Sequence, residues 1–251
     1  MAVAGHRSDM DPKEVKGSYF NVEIYPDGRV VKTPRNRKGA EVSQERLQEI
    51  ARLQNQLSEL FPEVLPCRYI QGTGQLETKE APGEYGGNPG GRPHTMDFEM
   101  WREVALPKLN RVIMNIKALG YVFVNDELAP NKKDPFSGDV RQRHNIKYDI
   151  EQDRVYLIDF HDIEYRGVAG MEDKLIQAVN PKTGNYVKIE TATGKIVAEK
   201  KSAGPYKGIR EIVMVETEAP IPAPDKPPPG ERPAKDPTRR WFGKKYRPAG
   251  Q

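Results

Sequence analysis

Residues 154–162, which read RVYLIDFHD, constrain the fold of this chain more than any other stretch. The apolar run at 155–158 follows a charged turn at 151–153 and stops at an acid. This pattern predicts a short buried strand that carries Asp159 at its end. The alternative is an ordinary core strand whose terminal acid has no further role.

A second predicted strand precedes this one. Residues 144–149 read HNIKYD, so two short strands flank one polar turn and form a β-hairpin. The hairpin places the amide of Asn145 and the carboxylate of Asp159 side by side at a sheet edge. Two oxygen-bearing side chains in this arrangement can hold Mg²⁺ against a polyphosphate.

Another β-hairpin is predicted near the N-terminus. Residues 20–32 contain two strand-like segments around a Pro-Asp-Gly turn, and the first segment alternates apolar with polar side chains. Gly17 and Ser18 lie at the entrance of this hairpin, and Lys32 lies at its exit.

An amphipathic helix is predicted over residues 44–60. Ser43 is a suitable N-cap, Glu45 places an acid in the first turn, and leucine and isoleucine recur at helical spacing. Two further strands are predicted over residues 65–70 and 75–78, around a Gly-Thr-Gly turn.

A linker with the sequence KEAPG follows at residues 79–83, and a loop rich in glycine and proline follows at 84–95. Residues 97–119 then show a second apolar helical pattern that ends before Gly120. Pro107 either kinks this helix or starts a new one.

The order of these elements resembles the protein-kinase-like superfamily, above all its small bacterial and aminoglycoside-phosphotransferase-type members. The LIDF string at 157–160, the Asn145 hairpin and the lysine strand after a glycine-containing loop carry the resemblance. It spans about residues 14–165. It implies a two-lobed α+β fold with a reduced second lobe and a transfer of phosphate from ATP, with Mg²⁺, to a hydroxyl group of a protein or small molecule.

The resemblance also implies a role for each site residue. Gly17 and Ser18 would cover the phosphates, Lys32 would contact them, Glu49 would orient that lysine, and Glu80 in the linker would lie at the adenine. Asn145 and Asp159 would ligate Mg²⁺. By residue type alone, Lys32 and Glu49 also fit solvated surface positions, and Glu45 is the second choice for the glutamate that orients Lys32.

Two aspartates compete for the catalytic role beside Asn145. Asp139 resembles the aspartate of the family's Gly-Asp…Asn catalytic loop, although the spacing to Asn145 is one residue longer than in the kinase signature. Asp126 is the rival, in a displaced loop. We favour Asp139, because only this aspartate is contiguous with the HNIKYD segment.

The C-terminal part departs from the family. Residues 167–178 predict at most one short helix, and residues 179–216 predict a small basic β module. The Pro-rich segment 217–236 cannot form a core, and the tail that follows it mixes basic and aromatic residues. That tail fits an acidic partner or nucleic acid, or a solubilising role alone.

Composition sets the class of protein. The single Cys67 excludes an internal disulfide and a zinc site built on several cysteines, and it fits a cytoplasmic protein. The sequence predicts no membrane-spanning helix and no signal-peptide core. The predicted parts are a disordered N-terminus (1–13), an N-lobe (14–83), a loop (84–95), a reduced C-lobe (96–178), the β module (179–216) and a disordered tail (217–251).

The second hypothesis is a kinase-like binding or scaffold protein that no longer transfers phosphate. The single glycine of the loop, a missing catalytic-loop histidine and the short second lobe favour it. Such a protein would act through the β module and the basic tail. A third hypothesis, a small nucleic-acid-associated protein, depends on the tail alone.

Overall fold

The computed structural model of the protein describes residues 11–16, 19–35, 42–86, 96–124 and 145–215. These residues form a mixed α/β structure with several antiparallel sheets. Within these ranges no helix has the length and apolar composition that crossing a membrane requires. Residues 217–251, which are predicted to be disordered, lie outside the described residues.

The N-terminal part is a five-stranded antiparallel sheet, and it confirms both predicted strand pairs. Its first strand starts at Lys13, a residue that the sequence places in a loose N-terminus. The strands are β1 (Lys13–Lys16), β2 (Phe20–Ile24), β3 (Arg29–Pro34), β4 (Cys67–Ile70) and β5 (Gln75–Lys79), in the order β1-β2-β3-β5-β4.

Helix α1 (Gln44–Leu60) has the predicted bounds and the predicted N-cap. The hydroxyl of Ser43 accepts from the N–H of Arg46 at 3.2 Å. Leu53 and Leu57 are fully buried, and the helix contacts β4 and β5. Its apolar face therefore covers one side of the sheet.

The second helical segment contains a π-helical turn. It comprises α2 (Phe98–Met100), the π turn Trp101–Ala105 and α3 (Leu106–Ala118). The N–H of Leu106 donates to the carbonyl oxygen of Trp101 across the π turn. Pro107 has no N–H to donate, and the wider turn accommodates it before the α-helix resumes. Pro107 therefore lies in the first turn of α3, which agrees with the predicted alternative that a new helix starts there.

Two small antiparallel sheets follow the helices. Strand β7 (Tyr121–Phe123) pairs with β10 (Ile163–Tyr165). Strands β8 (Ile146–Asp149) and β9 (Arg154–Leu157) form the predicted hairpin. Strand β6 (Glu84–Tyr85) pairs with β8, so the predicted glycine- and proline-rich loop begins with a short strand.

Residues 167–178, for which at most one short helix is predicted, contain no helix and end in a strand. Ile176 and Ala178 are buried, and between them the side-chain amide of Gln177 donates to the carbonyl oxygens of Tyr206 and Ile209. This period of two suits a strand. The sheet order is β13-β12-β11-β14, with β11 (Leu175–Val179), β12 (Tyr186–Glu190), β13 (Ile196–Glu199) and β14 (Arg210–Glu211).

This last sheet packs on the helices rather than standing apart. Val187 and Ile189 belong to the same buried apolar cluster as residues of α1 and α3. The ammonium of Lys182 donates to the carbonyl oxygen of Ser58 at 2.6 Å. Strand β11 crosses the predicted boundary at residue 178, so the β module begins at Leu175 and shares a buried core with helices α1 and α3.

Candidate functional site

A cleft lies between the five-stranded sheet, helix α1 and the segment after β9. Strand β3 brings Lys32 to it, and the end of the β8–β9 hairpin brings Asp159. Its other lining residues include Phe20, Ile50, Gln54, Thr78, Phe160 and His161. The cleft therefore unites two residues that the sequence predicts as site residues.

Lys32 and Asp159 meet in this cleft. The ammonium of Lys32 lies 3.9 Å from Oδ1 of Asp159 and donates to the carbonyl oxygen of Ile158 at 2.6 Å. Both side chains are largely covered, so water screens this attraction less than it would on an open surface. The lysine thus bridges the N-terminal sheet and the strand end that carries the acid.

The environment of Asp159 keeps its carboxylate ionised. Burial acts to raise its pKa, but the Lys32 ammonium and the bonds from His161 outweigh burial and lower the pKa to about 2. Nδ1 of His161 lies 3.1 Å from Oδ1 of Asp159, and the N–H of His161 donates to the same oxygen at 3.3 Å. An ionised carboxylate, 27% exposed, is a suitable ligand for a hard cation.

Asn145 lies at the start of the same hairpin. Its carbonyl oxygen accepts from the N–H of Ile158 at 3.0 Å, which extends the β8–β9 pairing by one step. Asn145 is therefore opposite the residue before Asp159, and it is buried. This backbone pairing brings Asn145 to the end of the hairpin that leads into Asp159, and the placement of its amide beside the acid stays a prediction.

The structure does not bring Glu49 to Lys32. Both carboxylate oxygens of Glu49 accept from the Arg52 guanidinium, at 2.6 and 2.7 Å. The helix presents Ile50 and Gln54 to the cleft instead. Since neighbouring helix residues point about 100° apart, a helix with Ile50 in the cleft turns Glu49 away from it.

Glu45, the alternative to Glu49, lies exposed at the start of α1. Backbone hydrogen bonding and the Ser43 hydroxyl lower its pKa, as expected for an acid at a helix N-terminus. These contacts tie Glu45 to the helix cap rather than to the cleft.

Glu80 lies in the linker, as predicted, and its polar groups have partners within the chain. Its carboxylate accepts from the ammonium of Lys147 at 2.9 Å, and its N–H donates to the carbonyl oxygen of Gly28 at 2.7 Å. Gly83, at the end of the linker, has a φ of +89°, which favours glycine. The linker is thus held by the first hairpin on one side and β8 on the other.

Sequence reasoning missed two residues that organise the Asp159 segment. Arg46 donates to the carbonyl oxygens of His161 and Ile163. The ring of Tyr19 stacks on His161 with 4.1 Å between ring centres. Their partner His161 is easy to recognise in the sequence because it follows Asp159-Phe160 directly. Arg46 and Tyr19 carry no such local signal.

Four of the predicted residues lie outside the described ranges, namely Gly17, Ser18, Asp126 and Asp139.

Cys67 lines the cleft, and burial raises the pKa of its thiol to about 11. This thiol is therefore protonated at neutral pH and is a poor nucleophile.

No protein-family model matches the sequence, and no curated protein matches it. Among solved structures, the chain is similar to the crystal structure of the Rio2 kinase–ADP/Mg²⁺–phosphoaspartate complex from Chaetomium thermophilum. The identity is 13%, the TM-score is 0.30, and the match covers 63% of this chain and 50% of that chain. The match thus spans half the length of that structure's chain, and a similarity this distant assigns no family.

Proposed function

We propose that this protein transfers a phosphoryl group from Mg²⁺-bound ATP to a hydroxyl acceptor, with a cleft built as in the protein-kinase-like superfamily. The observation that carries the proposal is the 3.9 Å approach of Lys32 to Asp159 across the cleft. Phosphoryl transfer needs a cation at the phosphates and an anion that holds the metal. Here a strand lysine and a strand-end aspartate supply that pair of charges.

The residues present fit Mg²⁺. Asp159 is ionised, and Asn145 lies at the same end of the hairpin. In the part of the chain that the structure describes, no three His, Cys, Asp or Glu residues cluster as a metal site. Mg²⁺ commonly takes only one or two carboxylates and completes its shell with phosphate oxygens and water, so this sparse donor set suits it.

Each of these residues has a distinct role in the proposal. Lys32 binds the phosphates of the nucleotide, and Asp159 with Asn145 holds the metal, which supplies charge neutralisation at the transferred group. Asp139 accepts the proton of the acceptor hydroxyl. The acceptor is a hydroxyl-bearing protein or small molecule.

The positioning of Lys32 differs from the predicted arrangement. Because Glu49 pairs with Arg52, we assign the orienting role to the carbonyl oxygen of Ile158, which accepts from Lys32 at 2.6 Å. This carbonyl belongs to the residue before Asp159. One backbone segment therefore positions both charges of the site.

The test is Mg²⁺-dependent ATP binding and turnover by the full-length chain. At an ATP concentration ten times Kd, binding stabilises the folded state by about 1.4 kcal/mol, which raises Tm by roughly 3–5 °C. Asp159→Asn should abolish the Mg²⁺-dependent shift and the release of ADP. Asp173→Asn, which changes an exposed acid outside the cleft, is the matched control and should keep both.

A shift that persists in Asp159→Asn contradicts the assigned metal ligand. The absence of any shift in the wild-type chain at millimolar Mg²⁺-ATP contradicts nucleotide binding altogether. If ATP binds but no ADP is released in the presence of hydroxyl acceptors, the nucleotide-binding site is supported and the proposed phosphoryl transfer is contradicted.

A further inference from the structure

Lys147 on β8 is a buried lysine whose ammonium is bound to the linker. The residue is 6% exposed. Its Nζ donates to Oε1 of Glu80 at 2.9 Å and to the carbonyl oxygen of Ala81 at 2.8 Å. It also lies 4.9 Å from the ring centre of Tyr85. A buried ammonium is costly without such partners, so the side chain is strongly held in this position.

The linker leaves little space at the same place. Ala81 is buried, and its carbonyl oxygen is the one that Lys147 occupies. A Cβ added to Gly83 would lie 2.1 Å from the carbonyl oxygen of Tyr148, so the two backbones are in direct contact. The linker therefore lies directly against β8 at Gly83.

The cleft itself stops short of the linker. Thr78 on β5 lines it, whereas Glu80, Ala81 and Lys147 do not. Two of its lining residues, Lys32 and Asp159, are charged, and they can contact phosphate groups and a metal bound to them.

We propose that this site recognises its ligand through the polyphosphate and not through the base, and that Lys147 is the residue that keeps a base from the linker. The ligand class is a Mg²⁺-bound polyphosphate, so nucleoside triphosphates with different bases and tripolyphosphate alone bind alike. This inference rests on the proposed function, because it assumes that Lys32 and Asp159 bind a Mg²⁺-polyphosphate.

The test compares Mg²⁺-ATP, Mg²⁺-GTP and Mg²⁺-tripolyphosphate by titration calorimetry on the full-length wild-type chain. We expect their Kd values to agree within about threefold, which is less than 1 kcal/mol of discrimination. ATP that binds more than about tenfold tighter than tripolyphosphate overturns the inference and leaves the proposed function intact. No binding of any of the three overturns the proposed function and this inference together.

Lys147→Met tests the assigned residue. Methionine keeps much of the apolar stem but frees the carbonyl oxygen of Ala81, which can then accept from the amino group of adenine. We expect ATP to bind about fivefold tighter than in the wild-type chain, while the Kd of tripolyphosphate stays the same. Lys147→Arg keeps a cation at the linker and is the matched control, with all three ligands unchanged.

If Lys147→Met changes ATP and tripolyphosphate binding equally, Lys147 does not control access of the base and that assignment is overturned. Thermal melting shows whether each variant folds. The wild-type comparison of ATP with tripolyphosphate requires no variant, so it decides on base recognition even if Lys147→Met does not fold.

Discussion

Nη2 of Arg46 lies 2.7 Å from the carbonyl oxygen of Ile163 and joins the first turn of α1 to the segment after Asp159. The same nitrogen donates to the carbonyl oxygen of His161 at 3.0 Å. Helix α1 thus fixes the backbone beside Asp159. The helix makes this contact through an arginine and two backbone carbonyl oxygens. The predicted contact was instead an ion pair between a glutamate of the helix and Lys32.

Arg46→Met should weaken both folding and ligand binding. The substitution removes two hydrogen bonds from a charged donor to partly buried carbonyls, so we expect the free energy of unfolding to fall by about 1–3 kcal/mol. Urea unfolding measures this loss, and Mg²⁺-ATP titration measures the weakened binding. Arg68→Met is the matched control, because the Arg68–Glu77 pair is exposed on the arginine side and contributes less than about 1 kcal/mol. Equal losses in both variants would show that Arg46 is an ordinary surface arginine.

The Asp159 carboxylate should make stability depend on pH at the acid end. Burial acts to raise its pKa, but Lys32 and His161 lower it from 3.8 to about 2 in the folded chain. Since the folded pKa lies below the unfolded pKa, the unfolded chain takes up the proton first as pH falls. The contribution is therefore present above about pH 4 and is lost as pH falls through about 2, and it amounts to about 2 kcal/mol.

Urea unfolding of the wild-type chain and of Asp159→Asn, carried out between about pH 5 and about pH 2, measures this contribution. The free energy of unfolding should fall less steeply in Asp159→Asn, because the titrating group is gone. Asp173→Asn should follow the wild-type curve. Parallel curves for wild type and Asp159→Asn would contradict the ion pair with Lys32.

The parts of the site that lie on regular elements were predictable from the sequence. Lys32 lies in β3 and Asp159 closely follows β9, two strands that alternation and an apolar run reveal, and Asn145 immediately precedes β8 of the predicted hairpin. Ser43 fixes the start of α1. These signals are local, because a strand or helix end is set by residues a few positions away.

The remaining parts depend on contacts that no local pattern contains. The phase of α1 decides that Ile50 and not Glu49 faces the cleft, and the sheet and core set that phase. Lys147 reads as a polar residue in a strand, yet the linker buries it. Residues 175–179 have helix-forming leucine and alanine, and pairing with β12 and β14 makes them a strand.

Gly83→Ala should destabilise the chain more than a glycine substitution at an open turn. The residue has a φ of +89°, and an added Cβ would lie 2.1 Å from the backbone oxygen of Tyr148. Since backbone must move to relieve that contact, we expect a loss of at least about 3 kcal/mol. Gly72→Ala has a φ of +84° and nothing within 4 Å of the added Cβ, so it carries only the conformational cost of about 1 kcal/mol. Equal Tm values for the two variants would show that Gly83 is not in close contact with the backbone of Tyr148 on β8.

Ile189→Ala should destabilise the whole described unit and not the β module alone. Ile189 is 1% exposed on β12 and belongs to the buried cluster that contains Trp101 near α3, so its truncation should cost about 3 kcal/mol. In a Trp241→Phe background, Trp101 is the remaining one of two tryptophans, and its fluorescence during urea unfolding reports the unfolding of the helical segment that contains it. The transition should stay single and shift to a lower urea concentration.

Val197→Ala, the control, removes an exposed side chain from β13 and should change the free energy of unfolding by less than about 0.5 kcal/mol. An unchanged Trp101 transition in Ile189→Ala would mean that the β module unfolds independently, and its packing on the helices would then contribute little to stability.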